Sequence, residues 1–121
     1  MTSKYRVVQE LGAGGMGKVY KGLLIGQSGF QRRIVLKQPR DDDDPAHLRL
    51  FVEEARRYAL LDHENIGRIV DFERVDGRMS IILEYIDGWS VVDFLAHHGE
   101  GRMPDVGLTV FIVSRVCRAL Q

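Results

Sequence analysis

Cysteine occurs once in this chain of 121 residues, at Cys117, so no disulfide can form within it and a reducing compartment suits it. An excess of either charge is also lacking. Lys plus Arg and Asp plus Glu each number 17, which removes any argument from net charge for nucleic acid or an anionic membrane. No long hydrophobic run is present: the longest apolar-rich stretch, Val106 to Val113, falls far short of the roughly 20 residues of a membrane span. The opening Met1-Thr2-Ser3-Lys4-Tyr5-Arg6 has no apolar core of a secretory signal. The expectation is a soluble, cytoplasmic chain. Its 45% apolar and 28% charged residues are ordinary for a globular protein, and its length suffices for one hydrophobic core.

Glycine, by contrast, is concentrated where it can act. Leu11-Gly12-Ala13-Gly14-Gly15-Met16-Gly17-Lys18-Val19 carries a G-x-G-x-x-G spacing, which lets backbone N–H groups approach an anionic ligand without Cβ interference. A dinucleotide fingerprint shares that spacing, but it opens a helix and needs an acidic residue about 20 positions on. Here Val19, Tyr20 and Leu23-Leu24-Ile25 continue as strand, and the next charged strand position is the basic Lys37. Strand, glycine loop, strand and lysine form the layout that covers and neutralises the phosphates of a nucleoside triphosphate.

Further along, periodicity predicts the remaining elements. Tyr5 to Leu11 and Lys18 to Ile25 read as strands around the loop, Gly26-Gln27-Ser28-Gly29 as a turn, and Arg33 to Gln38 as a strand ended by Pro39. Asp41 to Asp44 before Pro45 make a helix start, because negative charge favours the N-terminal dipole and proline suits the first helical position. A metal site there is disfavoured, since adjacent aspartates cannot converge on one ion unaided. Leu48, Phe51, Val52, Ala55 and Ala59 mark an amphipathic helix over Pro45 to Leu61. After a loop at Asp62 to Asn65, Ile66 to Val75 and Arg78 to Tyr85 form a hairpin through Asp76-Gly77, a type I′ signal. Ile86 to Trp89 is a linker, Ser90 to Ala96 a short helix, and His97 to Gly101 with Pro104 a loop. The last helix has its apolar face on Leu108, Phe111, Ile112, Val116, Ala119 and Leu120. It reaches Gln121 without glycine, proline or cap, which reads as a cut.

Lys37 stands in an apolar strand and needs an anionic partner, either phosphate or a helix carboxylate. Glu53 and Glu54 both qualify, and laying the helix out at 100° per residue does not separate them. A strand such as Ile81-Ile82-Leu83-Glu84-Tyr85 that turns into a polar linker leaves backbone donors and acceptors to satisfy, and an adenine edge can do so. Each feature alone is more often an ordinary turn, solvated lysine or strand end. Their order carries the nucleotide reading.

These residues resemble the N-terminal lobe of protein kinases, in particular bacterial eukaryotic-like serine/threonine kinases, over essentially the whole chain. The resemblance is carried by Leu11 to Tyr20 with its Gly-Gly-Met-Gly tip, by Ile34-Val35-Leu36-Lys37, by Phe51-Val52-Glu53-Glu54-Ala55, by His63-Glu64-Asn65-Ile66 and by Leu83 to Gly88. It implies an α+β fold: a five-stranded antiparallel sheet with one main helix (1–86), then a hinge and the first helices of a second lobe (87–121). It selects Glu54 over Glu53 as the partner of Lys37. It further implies that Leu11 and Val19 clamp adenine with Val35 beside them, and that Gly12, Ala13, Gly14, Gly15, Met16, Gly17 and Lys18 cover the phosphates. Leu83 would close the back of the pocket, Glu84 and Ile86 would bond the adenine edge by their backbones, and Ser90 and Asp93 would stand near the ribose. Tyr58 and Ile69 would join the helix to the sheet. Departures from the pattern are Val35 for alanine, Glu64 for proline, and the hydroxyl of Tyr58.

The implied activity is transfer of the ATP γ-phosphate to Ser or Thr hydroxyls of proteins, with Mg2+ held by residues outside this chain. No His-Arg-Asp or Asp-Phe-Gly sequence occurs here, so the chain by itself is expected to be inactive, a part of a longer kinase. The alternative is a short pseudokinase-like module that binds nucleotide or protein without catalysis. The last helix, with nothing to cover its apolar face, is expected to self-associate or meet a partner.

Overall fold

The computed structural model describes residues 3–14, 17–40, 44–98 and 105–121. Five strands form one antiparallel sheet: β1 (Tyr5–Gly14), β2 (Gly17–Ile25), β3 (Gln31–Gln38), β4 (Ile69–Val75) and β5 (Arg78–Glu84), in the spatial order β1-β2-β3-β5-β4. Among the described residues three α-helices accompany it, α1 (Pro45–Ala59), α2 (Val91–His98) and α3 (Val106–Ala119), with a short 3-10 turn at Gln27–Gly29. The chain divides into two compact units, Met1–Asp62 with Gly67–Tyr85, and His63–Ile66 with Ile86–Gln121.

In the first unit, side-chain alternation sorts the sheet into two faces. Ile34, Leu36 and Ile82 bury one face together with Tyr5 and Val75. The other face packs Ile81 against Phe51 and Ala55 of α1, flanked by Ile69, Phe72, Met79 and Leu83. The Phe51 and Phe72 rings lie 6.0 Å apart, within range of a tilted aromatic pair.

Although β1 and β4 are opposite edges, Tyr5 of β1 donates its hydroxyl to Asp71 of β4 at 2.8 Å. Lys4 adds an ion pair to Asp71 at 3.4 Å, and Ser3 donates to Glu73 at 3.1 Å. The sheet therefore curls until its edges meet. Register irregularities supply the extra twist, at Val7/Gln9 and Glu10/Gly12 in β1 and at Ile69/Asp71 in β4.

Local signals read from the sequence act as expected. Asp76 (φ 51°) and Gly77 (φ 82°) are both left-handed, as a type I′ hairpin requires. Asp44 caps α1 by accepting from the Ala46 N–H at 2.9 Å, with Pro45 following; Asp41 to Asp43 lie outside the described residues.

Several boundaries differ: β3 starts two residues early at Gln31, β5 ends one residue early at Glu84, α2 starts at Val91, and four further differences have local causes. The β1–β2 ladder runs on through Gly14↔Gly17 instead of stopping at Leu11, so Gly15 and Met16, outside the described residues, are all that separates the strands. α1 closes two residues early, at Ala59, where the Leu60 N–H bonds the Arg57 and Tyr58 carbonyls. β4 begins at Ile69, not Ile66, because Ile66 is bonded into a turn on the His63 carbonyl at 3.1 Å. His97 and His98 are helical and not loop. Ser90 starts that helix by accepting from the Asp93 N–H at 3.0 Å, and the His97 ring stands edge-on to Trp89 at 4.5 Å.

In the second unit, α2 and α3 border an apolar cavity of about 660 Å³ lined by residues that include Trp89, Phe94, Leu95, Leu108 and Ile112. Phe111, Val116 and Leu120 of the last helical segment are exposed. Asn65 and Glu64 hold the α3 residue Arg115, through its carbonyl at 2.8 Å and its guanidinium at 3.6 Å. Among the described residues no helix is long and apolar enough to cross a membrane.

Candidate active site

Lys37 is positioned by strand alternation. Ile34, Leu36 and Gln38 are buried on one face of β3, which turns Val35 and Lys37 to the face that carries α1. Register then builds two cross-strand rows on that face: Val19–Lys37–Ile81 and Lys21–Val35–Leu83. Val19, Val35 and Leu83 thus line up around the lysine stem, and Leu83 packs on the cluster of Phe51, Ala55 and Ile81.

The helix supplies the counter-charge. Burial of Phe51 and Ala55 against the sheet fixes the rotation of α1, and Glu54, beside Ala55, meets Lys37 Nζ at 2.5 Å. Glu53 points elsewhere and pairs with Arg57 on its own helix at 3.9 Å. Side-chain exposures of 22% for Lys37 and 34% for Glu54 leave the pair reachable from solvent. An ion pair so placed contributes at most about 1 kcal/mol to stability, so holding the fold together is a poor reason for it.

The loop glycines fall into two kinds. A Cβ on Gly17 would lie 2.1 Å from the Gln38 carbonyl oxygen, and its φ of +138° is open only to glycine. Gly17 is required by the fold. Gly12 and Gly14 meet no described heavy atom within 4 Å of an added Cβ, so none of the described residues demands their bareness. Such room beside a cation is what an approaching phosphate chain needs. Leu11 is half exposed, and Ala13 and Lys18 pair across the hairpin.

At the end of β5, the Glu84 N–H bonds the Arg68 carbonyl at 3.0 Å, and the Glu84 carboxylate accepts from the Arg68 N–H at 2.8 Å. Tyr85 is flanked by two cations, Lys21 at 5.1 Å and Arg33 at 4.7 Å from its ring centre. The Tyr58 hydroxyl is pushed above its ordinary pKa by burial and by the negative charges of Glu84 and Glu54, so it stays a neutral phenol. Ile86, Ser90 and Asp93 belong to the second unit. There the Ser90 hydroxyl donates to the Asp93 carboxylate at 2.8 Å, a reciprocal cap on α2, and Ile86 is exposed. Among the described residues no group of three His, Cys, Asp or Glu side chains could hold a metal ion.

A family model for protein tyrosine and serine/threonine kinases matches residues 5–121. This chain belongs to the protein kinase family. The serine/threonine-protein kinase Pkn1 of Myxococcus xanthus is 33% identical over 97% of the chain, and PrkC of Bacillus subtilis (strain 168) is 30% identical over all of it. The tyrosine-protein kinase MasK of Myxococcus xanthus is 35% identical over 69%. The kinase chain spans 16%, 19% and 13% of those three relatives.

Some features of this kinase unit were invisible to sequence reasoning. The curled-sheet latch of Tyr5 and Asp71, the Arg68 bracket on Glu84, and a buried Gln38–Ser80 bond all join residues far apart in the chain. Only Ser80, a hydroxyl inside the apolar run Met79 to Leu83, gave a local sign that a buried partner was needed.

Proposed function

We propose that the first unit is the ATP-binding lobe of a protein serine/threonine kinase whose longer product transfers the γ-phosphate of ATP to Ser or Thr hydroxyls of proteins. Residues 1–86 form that lobe in this reading, and residues 87–121 are the hinge and the first helices of the lobe that follows. One observation carries the proposal: Lys37 and Glu54 pair on the sheet face where Gly12 and Gly14 leave open space.

Lys37 would neutralise the α- and β-phosphates while Glu54 holds its ammonium in place. Backbone N–H groups from Gly12 to Lys18 would cover the phosphate chain, and Leu11, Val19 and Val35 would grip the adenine ring. Since the Glu84 N–H is taken by Arg68, Glu84 would offer its carbonyl to the adenine amino group. Mg2+, when bound, would supply further neutralisation of the phosphate charge. Proton transfer from the acceptor hydroxyl and magnesium coordination need the groups of His-Arg-Asp and Asp-Phe-Gly, which this sequence does not contain.

The names of the bacterial relatives, mostly serine/threonine kinases, favour Ser or Thr as acceptors. MasK, named a tyrosine kinase, makes the acceptor worth measuring. The test is transfer of labelled γ-phosphate by the longer product, with Lys37→Met beside it. Loss of transfer on that substitution, with the fold intact, is the expected result; undiminished transfer would remove Lys37 from the mechanism.

A further inference from the structure

Two polar side chains sit inside the core of the first unit where apolar ones would be expected. Gln38 is 5% exposed and Ser80 is fully buried, and Gln38 Nε2 donates to Ser80 Oγ at 3.0 Å. Ser80 in turn donates to the Arg78 carbonyl at 3.1 Å, so its hydroxyl is used in both directions. Burying such groups in place of hydrocarbon yields little net stability, so the pair calls for a reason beyond packing.

Its position supplies one. The β3–β5 ladder pairs Ile34↔Glu84, Val35↔Leu83, Leu36↔Ile82 and Lys37↔Ile81, and ends there. Gln38 and Ser80 are the next two residues in register, and their side chains make the connection that the backbones no longer make. On its other side Gln38 pairs with Lys18 of β2, and its carbonyl is the surface against which Gly17 rests, close enough that a Cβ would collide at 2.1 Å. Gln38 therefore stands between Lys37, the residue before it, and the returning strand of the glycine loop.

We propose that the Gln38–Ser80 hydrogen bond is a positioning pair: it holds the end of β3 on β5, and so sets the position of Gly17 and Lys18, the returning arm of the glycine loop, beside Lys37. A directional bond does this where two apolar side chains would let the strand end slide. The proposal rests on the nucleotide reading only for its consequence on ATP; the geometry of the loop is independent of it.

The test is made on the full chain with two variants. Gln38→Met keeps volume and leaves Ser80 bonded to the Arg78 carbonyl. Gln38→Met/Ser80→Ala removes both polar groups, so no orphaned donor remains. Amide hydrogen exchange at Gly17 and Lys18 reads the loop without nucleotide, MgATP affinity reads the site, and the melting temperature reads packing. In both variants exchange at those two amides should rise about tenfold, and MgATP should bind about tenfold more weakly, the size of one lost hydrogen bond. In the double variant this should hold with the melting temperature near that of the wild type. If exchange and affinity return to wild-type values whenever the melting temperature does, the pair is core packing and the proposal is overturned. A wild-type protein that ignores MgATP would sink the nucleotide reading instead, while exchange at Gly17 and Lys18 still decides the role of the pair.

Discussion

Replacing Gly17 and Gly14 separately by alanine should have opposite consequences, although both belong to one glycine-rich loop. At Gly17 the new Cβ meets the Gln38 carbonyl oxygen at 2.1 Å and the Arg40 nitrogen at 3.3 Å, on a backbone with φ +138°. Rigid backbone, not a flexible side-chain tip, is what it strikes. Backbone strain of this kind is worth about 1–3 kcal/mol, and separating β2 from the end of β3 adds to it, giving roughly 2–4 kcal/mol in all. Each kcal/mol shifts the melting temperature of a domain this size by about 3–6 °C, so Gly17→Ala should melt roughly 6 °C or more below the wild type. At Gly14 no described heavy atom lies within 4 Å of the added methyl. The smaller entropy of the unfolded chain then offsets any loss, and stability should change by under about 1 kcal/mol. What Gly14→Ala should lose is MgATP, because its methyl occupies space proposed for phosphate. Thermal melts with and without MgATP separate the two effects. Equal destabilisation by both substitutions would refute the division of the glycines into those the fold needs and those the ligand needs.

Three further outcomes are expected. The hydrogen bonds from Tyr5 and the Phe72 N–H, with Lys4, outweigh the opposing effect of burial and hold Asp71 below the usual carboxylate range. A depressed carboxylate stabilises the fold above its unfolded pKa of about 3.9, and that contribution fades as pH falls through the lower folded value. Denaturant titrations from pH 5 to 2 should therefore show stability falling, with a shallower slope in Tyr5→Phe; an unchanged slope would exclude the Tyr5–Asp71 latch. The Tyr5 hydroxyl itself is raised by burial, by its bond to Asp71 and by nearby negative charge, so stability should also fall above about pH 10, where the unfolded phenol ionises and the folded one does not. Absorbance near the phenolate band during alkaline unfolding measures this, and ionisation of Tyr5 before unfolding would contradict it. Asp44→Ala should weaken α1 by about 1 kcal/mol through loss of its cap on Ala46, read as lower stability of the first unit.

Much of this architecture follows from short-range signals. Alternation placed Lys37 opposite Leu36, the Asp76-Gly77 pair dictated a type I′ turn, and Asp44-Pro45 opened α1, because each depends on residues only a few positions apart. The order of glycine loop, lysine, acidic helix and hairpin was enough to suggest a kinase. Glu53 and Glu54 could not be separated that way, since their difference lies in how far α1 rotates when Phe51 and Ala55 settle on Ile81. Nor could local pattern say that the two edge strands meet through Tyr5 and Asp71, or that Gln38 finds Ser80. Those contacts depend on bulges that bend the sheet and on registers summed across five strands, which no window of neighbouring residues contains. Residue chemistry along the chain thus set the elements and the kind of ligand. Three-dimensional packing chose the partner of each polar side chain, because a hydrogen bond is satisfied by whatever atom folding brings within about 3 Å, however distant in sequence.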